Sequence, residues 1–222
     1  MRFSVIYLPT SLFSLKDSNS TNSGAKALFL PSPYAIKMAI LNQAITIGGD
    51  LEKLNTKNSK EFEFIRDAKI SFHIPEGSKF CVNNSFVKIL KPSRSRTGFQ
   101  QTVAFREYIY LTHPIEVVFE VDSNESKAYL QQYLHKINYF GKRGCFFQFL
   151  EYSDNPNPEN VKPFKADSSI TGIIQEYDDF DPKSTFDSAS NFSSSSSRRK
   201  KEILVLPLRS TSSSKSFRTF VN

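Results

Sequence analysis

Between Gly77 and Arg106 the chain reads GSKFCVNNSFVKILKPSRSRTGFQQTVAFR, with six cations (Lys79, Lys88, Lys91, Arg94, Arg96, Arg106) and no Asp or Glu. Runs of β-branched and aromatic residues flank a turn-rich tip at Lys91-Pro92-Ser93-Arg94-Ser95-Arg96-Thr97-Gly98. This pattern predicts a long β-hairpin with arms over about 79–90 and 100–111. Such a ribbon is a poor core element, because its charges have no internal partners. Lysines do protect exposed strand edges, but edge protection needs one or two charges and usually mixes signs. Thirty residues without an acid suit a polyanion better. In that reading Lys88, Lys91, Arg94, Arg96 and Arg106 meet phosphates, Arg94 and Arg96 by forked or stacked contacts, and Phe99 wedges between bases.

The remaining elements form the mount for this hairpin. Arg2 to Leu8 predicts a strand stopped by Pro9, and residues 10–27 a polar loop. Pro31-Ser32-Pro33 opens a helix to about Ile47, with Ser32 as cap and Pro33 at the first helical position; Gly48-Gly49 ends it. Asp50 is expected to cap a second, mostly polar helix reaching Arg66. Lys69 to Ile74 alternates as a strand, and Ile115 to Val121 is another. A helix is expected from Asp122-Ser123 to about Tyr139, followed by an interior strand over Cys145 to Leu150. Strand, helix, strand, hairpin, strand, helix, strand is the βαββαβ order of an α+β, ferredoxin-like (RRM-like) domain over residues 1–150, with the hairpin thumb, its tip at about 88–101, between the second and third strands.

Beyond residue 150 the composition changes. Residues 151–187 hold nine acids against three lysines, with several Pro and Asn. Residues 151–222 form a variable, partly β C-terminal region: a strand within 170–177, a flexible Ser-rich linker at 188–197, then Arg198-Arg199-Lys200-Lys201, a strand from Ile203 to Leu208, and a last strand at Phe217 to Val221.

Two further places invite an anion. Gly141-Lys142-Arg143-Gly144 follows the expected second helix. Gly141 and Lys142 fit a helix C-cap, while a second glycine, Gly144, lets backbone amides approach a phosphate; cap alone and cap with RNA contact both remain open. The pattern is not a P-loop. Tyr34 and Lys37 sit near the N-terminus of the first helix, where free amides hold phosphates; packing for Tyr34 and solvation for Lys37 are the plain alternatives.

Chemistry beyond binding has little support. His73, His113 and His135 are scattered and, with Cys81 and Cys145, make no metal spacing, so no metal and no cofactor are expected. Asp178, Asp179 and Asp181 read as a solvated acidic loop. The serines form no nucleophile elbow. His113 with Lys142 or Lys37 is the sole set that acid–base cleavage of RNA has to draw on, so no catalytic residue is assigned. A net charge of +7 favours anionic partners, nucleic acid first. Two unpaired cysteines and no apolar run of about 20 residues predict a soluble, cytoplasmic protein that does not enter a membrane.

Three stretches carry a resemblance. Phe29-Leu30-Pro31-Ser32-Pro33-Tyr34 leading into Lys37-Met38-Ala39-Ile40-Leu41 resembles the first helix of the Cas-five family, CRISPR-associated proteins of the RAMP superfamily. Phe105-Arg106-Glu107-Tyr108 resembles that family's strand after its thumb, and Tyr139-Phe140-Gly141-Lys142-Arg143-Gly144 its glycine-rich loop. The order matches across residues 1–150. The resemblance implies a prokaryotic, non-catalytic, RNA-binding backbone subunit of a type I Cascade complex, capping the five-prime handle of the guide RNA. Its partners would be the guide RNA (crRNA), the repeated backbone subunit, the large subunit and, beyond these, target DNA. Such complexes serve antiviral defence or RNA-guided transposition. One branch of the family cuts precursor RNA with a Tyr, a Lys and a His. Tyr34 and Lys37 match in type, but Thr112 precedes His113 where that branch has Lys–His. A metal-independent endoribonuclease is therefore the alternative reading.

Overall fold

A computed structural model describes residues 1–18, 26–93, 95, 97–167, 171–189 and 199–222. In chain order, β1 (Arg2–Pro9) leads through the short strands β2 (Leu15–Lys16) and β3 (Ala27–Leu28) to α1 (Pro33–Thr46), α2 (Leu51–Leu54) and α3 (Lys60–Asp67). β4 (Lys69–His73), β5 (Lys79–Pro92), β6 (Phe99–Leu111), β7 (Ile115–Glu120), α4 (Asn124–Leu134) and β8 (Phe147–Ser153) follow. The chain ends with β9 (Lys162–Pro163), β10 (Ile173–Phe180), α5 (Phe186–Ala189), β11 (Arg199–Leu206), β12 (Arg209–Ser213) and β13 (Phe217–Val221). The fold is mixed α and β, and every pairing between strands is antiparallel.

The central sheet has the order β4-β7-β1-β8. Each crossover skips one strand: α1 to α3 carry the chain from β1 past β7's place to β4, and α4 carries it from β7 past β1 to β8. Phe3, Val5, Tyr7, Phe72, Val117 and Phe119 are buried, as are Ile36 and Ile40 of α1 and Leu130 and Leu134 of α4. Tyr7 keeps its phenol in this core by donating to the Leu134 carbonyl at 2.8 Å, as a buried hydroxyl must. Between β4 and β7 the chain leaves the sheet as the hairpin β5–β6, paired without a register break from Phe80–Leu111 to Pro92–Phe99. The C-terminal strands join this ribbon, giving a second sheet β12-β13-β5-β6, while β10-β11-β9 forms a third.

α1 is buried over a wide arc that includes Ile36, Lys37, Ile40, Leu41, Gln43 and Ala44, while Ile47 is exposed. The arc is wide because β10 packs against this helix as well as the central elements. Several expectations are corrected. The polar helix through Arg66 is two helices: Asp50 makes no side-chain cap, and α3 starts afresh at Ser59, whose hydroxyl accepts from the Phe62 amide at 3.1 Å. The helix expected to reach Tyr139 stops at Leu134. Phe140 is buried against Tyr7 and Phe147, with ring centroids at 5.1 and 5.0 Å, and a continued helix would carry it away from both. The strand expected inside the sheet, β8, lies at its edge. The loop at 10–27 contains β2 and β3 among its described residues, and β11 begins at Arg199, earlier than expected. Most of the Ser-rich linker at 188–197 lies outside the described residues. Among the described residues no helix is long and apolar enough to cross a membrane.

Candidate nucleic-acid interface

Where β2, the start of α1, β6, β10–β11 and the 139–146 loop converge, they enclose a cavity of about 370 Å³. Tyr34, Arg106, Gly141 and Lys142, far apart in sequence, line it together with Lys16 and Arg199. At the helix start Ser32 accepts from the Ala35 amide at 3.1 Å, which fixes the first turn and with it Tyr34. The Arg199 guanidinium lies 4.0 Å above the Tyr34 ring. Asp178 holds it there through a 2.9 Å ion pair and itself accepts from Ser18 at 2.9 Å. A stacked, ion-paired arginine is rigid, so one wall of the cavity is preformed.

The 139–146 loop is a closed turn and not a helix cap. Tyr139 bridges Phe146, the Phe140 amide donates to the Cys145 carbonyl at 3.2 Å, and the Cys145 amide to the Lys142 carbonyl at 3.2 Å. Gly141 and Gly144 have φ of 70° and 97°, the left-handed region that disfavours side chains. A Cβ on Gly141 would stand 3.0 Å from Leu15 Cδ2, so this loop packs closely against β2. Gly144 faces open space.

The cations of the cavity differ in their partners. Arg106 and Lys142 form no ion pair among the described residues, whereas Arg199 is paired with Asp178, which lines the cavity together with Asp17 and Glu176. Burial pushes the Lys142 ammonium below the usual lysine range, and the neighbouring Arg106 charge pushes it the same way. Two mutually repelling cations on one cavity wall are a site for an anion, which relieves the repulsion and gains charge-assisted hydrogen bonds.

Other expected residues lie elsewhere. Lys37 turns inward: its side chain is 2% exposed and donates to Asp179 at 2.7 Å and to the Arg66 carbonyl at 2.8 Å. Lys88, Lys91 and Phe99 are exposed on the outer hairpin, and Arg143 is exposed on its loop. Arg94 and Arg96 lie outside the described residues. Strand register puts Phe86, Leu90, Phe99, Val103 and Phe105 on one face of the outer ribbon, with Lys88 among them. Phe86 is 77% and Phe99 72% exposed, an apolar stripe of the kind that marks a contact surface.

Sequence reasoning missed Lys16 and Arg199. The basic run at 198–201 was visible, but nothing local tied it to Tyr34. The acidic triplet is not a solvated loop either: Asp178 pairs with Arg199, Asp179 with Lys37, and Asp181 accepts from the Lys183 amide. Among the described residues no cluster of His, Cys, Asp or Glu is arranged to hold a metal ion. Cys81 and Cys145 are free thiols. None of the three histidines lines the cavity; His113 is bonded to Thr112 Oγ1 at 2.7 Å.

No protein-family model matches the chain. A CRISPR-associated protein Cas5 from Archaeoglobus fulgidus is 24% identical to it over 199 residues, covering 85% of this chain and 83% of that protein. In sequence, then, this chain resembles a Cas5 protein along most of its length. Among solved structures, the chain aligns with a CRISPR protein from Archaeoglobus fulgidus over 99% of its length and 91% of the other, at 12% identity and a TM-score of 0.42. It also aligns with a chain of the type III-B Cmr-beta complex bound to cognate target RNA, over 97% of its length and 86% of the other, at 10% identity and a TM-score of 0.45.

Proposed function

We propose that this chain is a non-catalytic, RNA-binding backbone subunit of a type I Cascade effector complex. It caps the five-prime handle of the guide RNA and serves antiviral defence or RNA-guided transposition. The observation that carries this reading is the convergence of Tyr34, Arg106, Gly141 and Lys142 on one cationic cavity. The sheet order β4-β7-β1-β8 with its two strand-skipping crossovers supports a ferredoxin-like domain of the RAMP type. In this reading a handle phosphate sits between Arg106 and Lys142, the Gly141–Gly144 backbone closes over the strand, and a base stacks near Tyr34 and Arg199. The outer hairpin is the thumb. Its apolar face meets the repeated backbone subunit, and its cations track the guide and the target strand. Lys37 is left with a structural part.

The test is binding of handle RNA by the full chain at several salt concentrations. Affinity is expected to fall by roughly 0.7 log units per phosphate contact per decade of salt. Arg106→Glu with Lys142→Glu should remove tenfold or more of the affinity without unfolding the chain, and unchanged binding rejects the cavity as the handle site. Incubation with repeat RNA in EDTA addresses the endoribonuclease reading. A single site-specific cut would establish an enzyme.

A further inference from the structure

We infer that the outward face of the β12-β13-β5-β6 sheet is a second binding surface, separate from the cavity, for an extended single strand of nucleic acid. The opposite face is committed to the core, since Phe80, Val82, Ile109, Leu111 and Phe220 are buried there. Strand alternation therefore turns the intervening residues outward. Register aligns them in rows: Arg209 with Val221 and Lys79; Thr219 with Cys81 and Tyr110; Phe217 with Asn83 and Tyr108; and Ser85 with Arg106. Tyr110 is 53% and Phe217 36% exposed, Lys79 and Arg209 are exposed, and Tyr108 is half-buried.

Charge chooses the occupant. The charged residues among the described ones on these rows are Lys79, Arg106 and Arg209; the acid of this part of β6, Glu107, points to the other face, where it is buried and paired with Arg218 at 2.7 Å. Polar Asn83 and Thr219 set Phe217 apart from the tyrosines, with only the small Cys81 between Thr219 and Tyr110, so the face offers no broad apolar patch for a protein partner. It offers separate rings ringed by cations. Tyr108 and Tyr110 are two residues apart on one strand, which spaces them about 7 Å and leaves room for a base on each. Stacking of splayed bases on sheet aromatics, with phosphates on flanking cations, is how sheet platforms hold single strands. Arg106 belongs to these rows and also lines the cavity, so a strand leaving the cavity can continue across the sheet. The platform exists because β13 pairs with β5, which brings Phe217 and Arg209 beside the hairpin.

The inference stands apart from the handle assignment. Binding of labelled 12-nucleotide oligouridylate and oligothymidylate to the full chain is followed by fluorescence anisotropy. Tyr108→Ala with Tyr110→Ala should weaken binding by roughly tenfold for each ring lost. The Phe pair should bind like wild type, since stacking needs the ring and not the hydroxyl. Should the Ala pair fold poorly, Lys79→Glu with Arg209→Glu changes only exposed side chains and should lower the salt slope by about 0.7 per contact removed. Photocrosslinking of 4-thiouridine RNA should label peptides of β6 or β13. Loss on either oligonucleotide supports the platform, and the one that loses more names RNA or DNA as its strand. Unchanged binding of both, with crosslinks confined to the 139–146 loop and α1, overturns it, as does a sheet face that binds a protein subunit and no oligonucleotide. The handle site is judged separately by Lys142→Glu alone, which leaves every residue of the sheet face in place, so either reading can fall alone.

Discussion

Replacing Lys37 by Met separates a residue that touches RNA from one that holds the fold. The apolar stem is kept and the charge removed. Lys37 Nζ donates to Asp179 at 2.7 Å and to the Arg66 carbonyl at 2.8 Å, with side-chain exposures of 2% for the lysine and 22% for the aspartate. Removing one partner of a buried pair costs roughly 3–5 kcal/mol. Two features lower that figure here. Asp179 still reaches some solvent, and it stands directly opposite Lys200 in the β10–β11 ladder, where a replacement partner is at hand. The stranded Arg66 carbonyl adds about 1 kcal/mol. The expected loss is therefore about 3 kcal/mol, which for a chain of this size lowers the melting temperature by roughly 6–12 °C. Lys37→Met with Asp179→Asn should recover more than half of it, because no charge is left buried alone. Thermal and denaturant unfolding read both variants, and handle-RNA affinity is measured below the transition. Burial lowers the Lys37 ammonium's pKa more than Asp179 raises it. The unfolded chain then binds more protons, so wild type gains stability over Lys37→Met as pH rises from that depressed value toward the ordinary lysine value. A Lys37→Met protein that melts like wild type but loses RNA binding tenfold would refute the argument and return Lys37 to the RNA.

Two further predictions concern the junction of α1, α2 and α4. A Cβ at Gly48 would lie 2.4 Å from Tyr133 Oη and 2.7 Å from the Ala44 carbonyl, so Gly48→Ala should push Tyr133 off Asp50 and cost about 2–3 kcal/mol in denaturant unfolding. Asp50 is buried, which raises its carboxyl's pKa, but bonds from Lys53 at 2.8 Å and Tyr133 at 2.6 Å outweigh this and hold it below the usual carboxylate range. Its folded value is thus depressed: the stability it contributes is present above the unfolded value near 3.9 and is lost as pH falls through the folded one. Acid unfolding of Asp50→Asn should show a shallower pH dependence than wild type between about pH 5 and 2, and equal slopes would sink this assignment.

Short-range physics was legible in the residues alone. Alternation marked β4, β-branched and aromatic runs marked β1 and β7, Ser32 and Ser123 marked the starts of α1 and α4, and the acid-free stretch marked a charged ribbon. These signals depend on neighbours a few positions apart, through steric preference, capping bonds and the two-residue period of a strand. The fate of each charge depended on residues that meet only after folding. Lys37 looked solvated or RNA-bound until β10 brought Asp179 to it. Arg199 looked like part of a basic run until β11 laid it on Tyr34. The acids after residue 150 looked set apart from the rest, yet Glu159 pairs with Arg2 and Asp179 with Lys37. The sequence by itself determined that this chain carries an excess of positive charge on a β-ribbon. Folding settled which of the cavity's cations are neutralised, as Arg199 is, and which form no ion pair among the described residues, as with Arg106 and Lys142, because long-range packing selects which opposite charges come within reach.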